Sequence, residues 1–133
     1  GTVIGAGHTV QRVERLKTLG LCHEVVALDA TDALACHKII HDMTGGRMAN
    51  LVINCVNIPN TEMASILMCR DGGTVYFFSM ATSFTKAALG AEGVGKDVTM
   101  IIGNGYARGH DEITLQVVRE SQAIRELYQS LYG

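Results

Sequence analysis

The stretch Leu51–Asn57, LVINCVN, decides how the rest of the chain is read. Its apolar run is too short for a typical helix and ends in small or polar residues, which fits a strand buried on both faces. Four further runs have the same form: Thr2–Ala6, Glu24–Leu28, Thr74–Phe78 and Val98–Ile102. They are followed by Gly7–His8, Asp29, Ser79–Met80 and Gly103–Asn104–Gly105, as Leu51–Cys55 is by Val56–Asn57. Segments of helical spacing lie between the runs. That alternation predicts an α/β domain of three layers, with a mainly parallel sheet of about five strands covered by helices on both faces. Ligands of such sheets bind beyond the carboxyl ends of the strands.

Working outward, Val10 to Leu19 reads as an amphipathic helix, with Val13, Leu16 and Leu19 inward, Arg12, Glu14, Arg15 and Lys17 outward, and Gly20 as its stop. Asp32 to Met43 reads as a second helix ended by Gly45–Gly46. Asn60–Thr61 caps a third that runs to about Cys69. Asp71–Gly72–Gly73 reads as a turn leading into the fourth strand. Ser83 to Glu92 has a helical centre, but Gly90, Gly93 and Gly95 predict a short or irregular element. Asp111 to Tyr132 is helical, with Ser121 able to restart a helix after a kink.

The 133 residues suffice for one domain with a core, spanning 1–133 with no linker or repeat. A 47 % hydrophobic and 18 % charged composition suits buried strands. The formal charge of -2 gives no reason to expect nucleic acid or an anionic membrane as partner. No run is long and apolar enough to span a bilayer, and no signal peptide is visible. Opening on Gly1 without an initiator Met, the chain reads as a processed product or an excised piece of something longer. Cys22, Cys36, Cys55 and Cys69 form no C-x-x-C pair and read as reduced thiols of a cytoplasmic protein. His37 and His41 share a helix face at a spacing that can bind metal, but no further ligand completes a set, so no metal site is expected. No Ser-His-Asp set, carboxylate pair or nucleophile elbow is present, which disfavours hydrolysis.

Val3–Gly7 supports two registers. In one, Gly5 and Gly7 open a dinucleotide fingerprint with Asp29 on the ribose, although Val10 stands where a small residue belongs. In the other, Thr2–Ala6 is the second strand of a nucleotide-binding fold whose first strand and phosphate loop are missing. Gly7, His8 and Thr9 then occupy the ribose-reading position, and Arg12 or Arg15 can face a 2′-phosphate. Thr2–Ala6 would either pair directly with Leu51–Cys55, giving the order 2-1-3-4-5, or leave a gap beside it, open or filled by another chain.

The order of elements resembles the Rossmann-like cofactor domain of medium-chain dehydrogenases. Leu51–Asn57 matches the strand that usually reads V-I-D-x-V-G, and Asp71–Val75 the next turn and strand. More specifically, Asn54–Met63 (NCVNIPNTEM), Phe77–Gly90 (FFSMATSFTKAALG) and Ile102–Tyr106 (IGNGY) resemble the L-erythro-3,5-diaminohexanoate dehydrogenase family. The resemblance covers nearly the whole chain but only the cofactor half of the family's enzyme. It implies the second register and NAD or NADP as cofactor. The reaction it implies is oxidative deamination of 3,5-diaminohexanoate to 5-amino-3-oxohexanoate in lysine fermentation, with the isolated chain inactive for want of its substrate half.

Hydride transfer needs a protein that holds two carbons close and excludes water. The residues expected to grip the cofactor are Gly7, His8, Thr9, Arg12 and Asp29 at the first two strand ends. Asn54, Val56 and Asn57 are expected near the nicotinamide ribose, with Ser79 and Met80 near the carboxamide and Asn104 further along the rim. Lys86 is placed to reach a substrate carboxylate or a phosphate. Asparagines also serve turns and caps, which is the competing reading of Asn57, Asn60 and Asn104. Unpaired strand edges suggest a homo-oligomer. The rival functions are a binding-only module and another Rossmann-like enzyme, such as a methyltransferase with Asp29 on a ribose.

Overall fold

The computed structural model describes residues 1–103 and 105–133, so Asn104 lies outside the described residues. Strands β1 (Ile4–Gly7) and β2 (Glu24–Ala27) pair in parallel and are joined by helix α1 (Val10–Leu19). Thr9 caps α1, its hydroxyl accepting the Arg12 amide at 3.3 Å, and Gly20 closes it in the left-handed conformation. Val13 is buried under the helix. The helix lies so close to the strand that a Cβ at Gly5 would stand 2.5 Å from Leu16 Cδ2.

Helix α2 (Ala33–Thr44) leads to a second parallel sheet of order β3-β4-β5, comprising β3 (Ala49–Asn54), β4 (Cys69–Phe77) and β5 (Thr99–Ile102). Its crossovers are α3 (Glu62–Met68) and α4 (Phe84–Val94). One face of this sheet is packed. Val75 and Phe77 are buried with Ile66 of α3 and Ala87 and Ala91 of α4, and Val52 and Met100 close the cluster. A second cluster, Leu28, Cys36 and Ala64 with Ile39 and Met68, ties α2 to α3 and so joins the two sheets' helices. On the opposite face Leu51, Ile53, Phe78 and Ile101 are exposed. Helices α5 (His110–Glu120) and α6 (Gln122–Tyr132) follow and bury none of their residues.

The α/β class and the parallel pairing agree with the expectation, but the sheet is smaller than five strands. The five strands divide into sheets of two and three, and β1 is not hydrogen-bonded to β3. Direct pairing in the order 2-1-3-4-5 is therefore not made. The arrangement among the described residues is the other outcome left open for the register lacking a first strand, a gap beside β3.

Two element boundaries also differ. Asp71–Gly72–Gly73 lies inside β4 rather than before it, because the glycines serve a bulge. Gly72 has φ 75° and donates its amide to the Asp97 carbonyl at 2.6 Å, and the β3–β4 register shifts between Ala49 and Leu51. Helix α4 is regular over 11 residues despite its glycines. Gly90 is buried against Met63 and Ile66 of α3, where close helix packing uses the missing side chain. The kink at Ser121 is as expected, its hydroxyl accepting the Ile124 amide at 3.3 Å to start α6.

The two kinds of glycine give opposite expectations. A Cβ at Gly73 would meet Cys69 Sγ at 2.5 Å and the Asn50 carbonyl at 2.9 Å, so Gly73→Ala is expected to destabilise by about 1–3 kcal/mol. Gly93, inside α4 with open space around it, is expected to gain about 0.5–1 kcal/mol on change to Ala. Urea unfolding of the two variants measures both.

Candidate functional site

The end of β3 is built around a buried amide. Asn54 is 5 % exposed, and its Nδ2 donates to Thr61 Oγ1 at 2.8 Å and to Ser65 Oγ at 2.9 Å. Its Oδ1 accepts the Val56 amide at 2.9 Å, which bends the chain directly after the strand. Ser65 completes the set by donating to the Thr61 carbonyl at 3.0 Å. Thr61 is the N-cap of α3 but makes no side-chain cap bond, its hydroxyl being committed to Asn54. Both amide hydrogens of Asn54 are thus used within the protein. Its influence on a ligand passes through the turn it shapes, on which Val56 and Asn57 are exposed.

The end of β4 is tied to the same place. The Phe78 amide donates to the Asn54 carbonyl at 2.9 Å, extending the sheet by one rung. Beyond it, Ser79 Oγ accepts the Ala81 amide at 3.1 Å, and the Ser79 carbonyl accepts the Thr82 amide at 3.2 Å. Met80, at the tip, is 82 % exposed. The Ser83 amide donates to Glu62 Oε1 at 2.8 Å, and Ser83 Oγ caps α4 through the Lys86 amide at 3.3 Å. Lys86 Nζ in turn donates to Asn60 Oδ1, bridging α4 to the turn after β3. Asn60 has φ 67°, a left-handed conformation that asparagine tolerates well. Asn54, Val56, Ser79 and Lys86 therefore take part in the hydrogen bonds of one rim, and Asn57 and Met80 lie exposed on its two turns.

Gly7, His8, Thr9, Arg12 and Asp29 form a separate group at the ends of β1 and β2. The Gly7 carbonyl accepts the Leu28 amide at 2.9 Å, and His8, Thr9 and Arg12 are exposed. Asp29 turns the chain into α2. Its Oδ1 accepts the Thr31 hydroxyl at 2.6 Å and the Thr31 amide at 2.9 Å, and these bonds, the hydroxyl first, hold its carboxyl below the ordinary value. With β1 and β3 unpaired, no strand ladder joins this group to the rim.

Residues 1–118 match the family described as zinc-binding dehydrogenase. The chain belongs to that family. It is also 51 % identical over 132 residues to an L-erythro-3,5-diaminohexanoate dehydrogenase from Acetoanaerobium sticklandii and 45 % identical over 132 residues to one from Fusobacterium nucleatum. Each match takes in 99 % of this chain but 38 % of the relative, so the chain spans well under half the length of these relatives. The family implies a nicotinamide cofactor in general, and the rim presents short polar groups at adjacent strand ends. The methyltransferase alternative has no support in these matches.

The zinc of the family's description finds no donor set in this portion. Among the described residues no three His, Cys, Asp or Glu side chains group closely enough to hold a metal ion. His37 and His41 do share a helix face, with ring centroids 5.9 Å apart, and His41 faces Asp42 at 3.7 Å. All four cysteines are free. Burial pushes the Cys36 and Cys69 thiols above the ordinary value, while Cys55 is exposed beside the rim.

Sequence reasoning picked out the strand-end residues and read Thr61 as a cap, but missed its bond to Asn54 and missed Glu62 and Ser65, both buried in α3. A carboxylate in a helix's first turn ordinarily reads as solvated. The available signal was three polar residues spaced to share one side of an otherwise apolar segment, TEMASILM.

Asn54→Ala is expected to leave the Thr61 hydroxyl and the Val56 amide without their partner, with Ser65 keeping its bond to the Thr61 carbonyl, and to cost about 2–4 kcal/mol in denaturant unfolding. A lowered carboxyl contributes stability above its unfolded-state pKa that is lost as pH falls through the folded-state pKa. Thr31→Val is therefore expected to raise the Asp29 pKa, seen in a carboxyl-carbon NMR titration, and to remove part of the stability held between neutral pH and that acid range.

Proposed function

We propose that the chain is one nicotinamide-binding domain of a longer enzyme that oxidatively deaminates L-erythro-3,5-diaminohexanoate. The observation that carries this reading is 51 % identity, sustained over 132 residues, to a protein of that name, joined to a strand-end rim of the right chemistry. The reaction takes a hydride from C3 of the substrate and exchanges the 3-amino nitrogen for the oxygen of water. It yields 5-amino-3-oxohexanoate, ammonia, a proton and reduced cofactor. The nicotinamide ring, when bound, accepts the hydride.

The residues of this chain bind and orient. The turn bearing Val56 and Asn57 offers main-chain and amide groups to the nicotinamide ribose, and Ser79 and Met80 border the carboxamide. Asn104 is assigned to the same rim from its place in the sequence. Gly7, His8, Thr9, Arg12 and Asp29 are assigned to the far ribose, with Arg12 available to a 2′-phosphate, so NAD and NADP are both candidates. Lys86 spends one of its three donors on Asn60 and keeps two for a substrate carboxylate. No side chain of this portion is assigned the proton transfers. The enzyme is placed in the cytoplasm as a homo-oligomer. Four free thiols support a reducing compartment, and the unpaired edges of β1 and β3 support association. No helix among the described residues is long and apolar enough to cross a membrane.

Calorimetry with NAD, NADP and S-adenosylmethionine, followed by assay of the longer enzyme with 3,5-diaminohexanoate, tests the reading. The expected result is binding of one nicotinamide nucleotide and its reduction by the substrate. Binding of S-adenosylmethionine instead, or cofactor binding without turnover, would overturn the assignment.

A further inference from the structure

Glu62 is the buried carboxylate that the reading above leaves unused. It is 3 % exposed, and charged residues are rarely so buried unless paired. Its partner among the described residues is not a cation but the main chain of a distant turn: Oε1 accepts the Ser83 amide at 2.8 Å, 21 residues on. A hydrogen bond from an amide to a carboxylate is roughly twice as strong as a neutral one. Packing alone does not call for it, since Ile66 and Ala64 show that α3 fills its core positions with apolar side chains.

The bond sits where it controls most. Ser83 is the last residue of the turn after β4 and also the cap of α4. Glu62 is the first residue of α3, next to Thr61, which Asn54 holds from the end of β3. Two neighbouring residues of α3 thus anchor both strand-end turns, Thr61 the one bearing Val56 and Asn57, Glu62 the one bearing Ser79 and Met80.

We infer that Glu62 is a positioning residue for the cofactor: through the Ser83 amide it holds the Ser79–Ser83 turn in the shape that receives the nicotinamide end. This rests on the proposed function for the identity of the ligand. The bond itself is independent of it.

The test uses the longer enzyme with Glu62→Gln and Glu62→Met. Gln keeps an oxygen acceptor in place, whereas Met keeps the volume and removes the acceptor. The Met variant is expected to raise the KM for the nicotinamide nucleotide about tenfold, the worth of one charge-assisted bond, with kcat at saturating cofactor and the KM of the amino acid within about twofold. Hydrogen exchange at the Ser83 amide is expected to accelerate in the same variant, and the Gln variant, whose neutral oxygen makes a bond roughly half as strong, is expected to fall between wild type and Met in both readings. If the Met variant does not fold, Glu62→Asp, which withdraws the acceptor by one methylene, is read in the same two ways. Wild-type cofactor KM without the acceptor, unchanged Ser83 exchange, or equal impairment of the Gln and Met variants would each overturn the inference. A wild-type enzyme that binds no nicotinamide nucleotide would instead sink the functional reading, while Ser83 exchange would still report on the bond.

Discussion

A buried amide side chain has to find a partner for each polar atom or bear the cost of leaving water. Asn54 sits under that constraint at the end of β3, and the way it is met organises the neighbouring elements. Its donors reach Thr61 and Ser65, so α3 must begin at one place over the sheet. Its acceptor takes the Val56 amide, so the chain must turn at once. Its carbonyl takes the Phe78 amide, so β4 leaves the sheet in step with β3. The strand register, the turn and the start of the helix are therefore one coupled network. Removing Asn54 takes a partner from each of them, and the Thr61 hydroxyl loses its own in a buried place.

The sequence was most legible where several local signals agreed. Helix α1 was read to the residue because the Val13–Leu16–Leu19 spacing and Gly20 mark face and stop together, while its cap, Thr9, was read only as a ligand contact. All five apolar runs became strands to within a few residues. It was least legible where a residue's use depends on a distant partner. Gly72 has the positive φ expected of a turn, but its partner is Asp97, and that pairing makes a bulge within a longer strand. Gly90 looks like a helix breaker until Met63 and Ile66 of α3 are placed against it. The division of the sheet was only half visible, since two registers of Val3–Gly7 fit the local pattern and strand pairing separates them.

The same logic sorts the site. Asn54, Val56, Asn57, Ser79 and Met80 were legible because strand ends are a general address for ligands. What Asn54 does there was not, because two of its three side-chain partners, Thr61 and Ser65, lie in α3 and its cap, whose approach the sequence does not specify. Lys86 was read as free to meet a ligand, and the structure spends one donor of it on Asn60. Glu62 was invisible for the opposite reason. Its position in a first helical turn gives a sufficient local explanation, the helix dipole, that hides the non-local one.

Side chains along a strand alternate between the two faces of the sheet. In β3, Val52 and Asn54 face α3 and α4, while Leu51 and Ile53 face the other way, 54 % and 59 % exposed. The covered face holds the core, with Ile66, Val75 and Phe77 fully or almost fully buried. The bonds that shape the rim belong to that side as well. Asn54, Thr61, Ser65 and Glu62 all lie in the layer between sheet and helices, and Ser83 enters it from the start of α4. The open face contributes Cys55 and the exposed ring of Phe78, and no side-chain bond of the network. The shape of the rim is therefore set by the packed layer beneath it, through contacts that involve one side of the sheet alone.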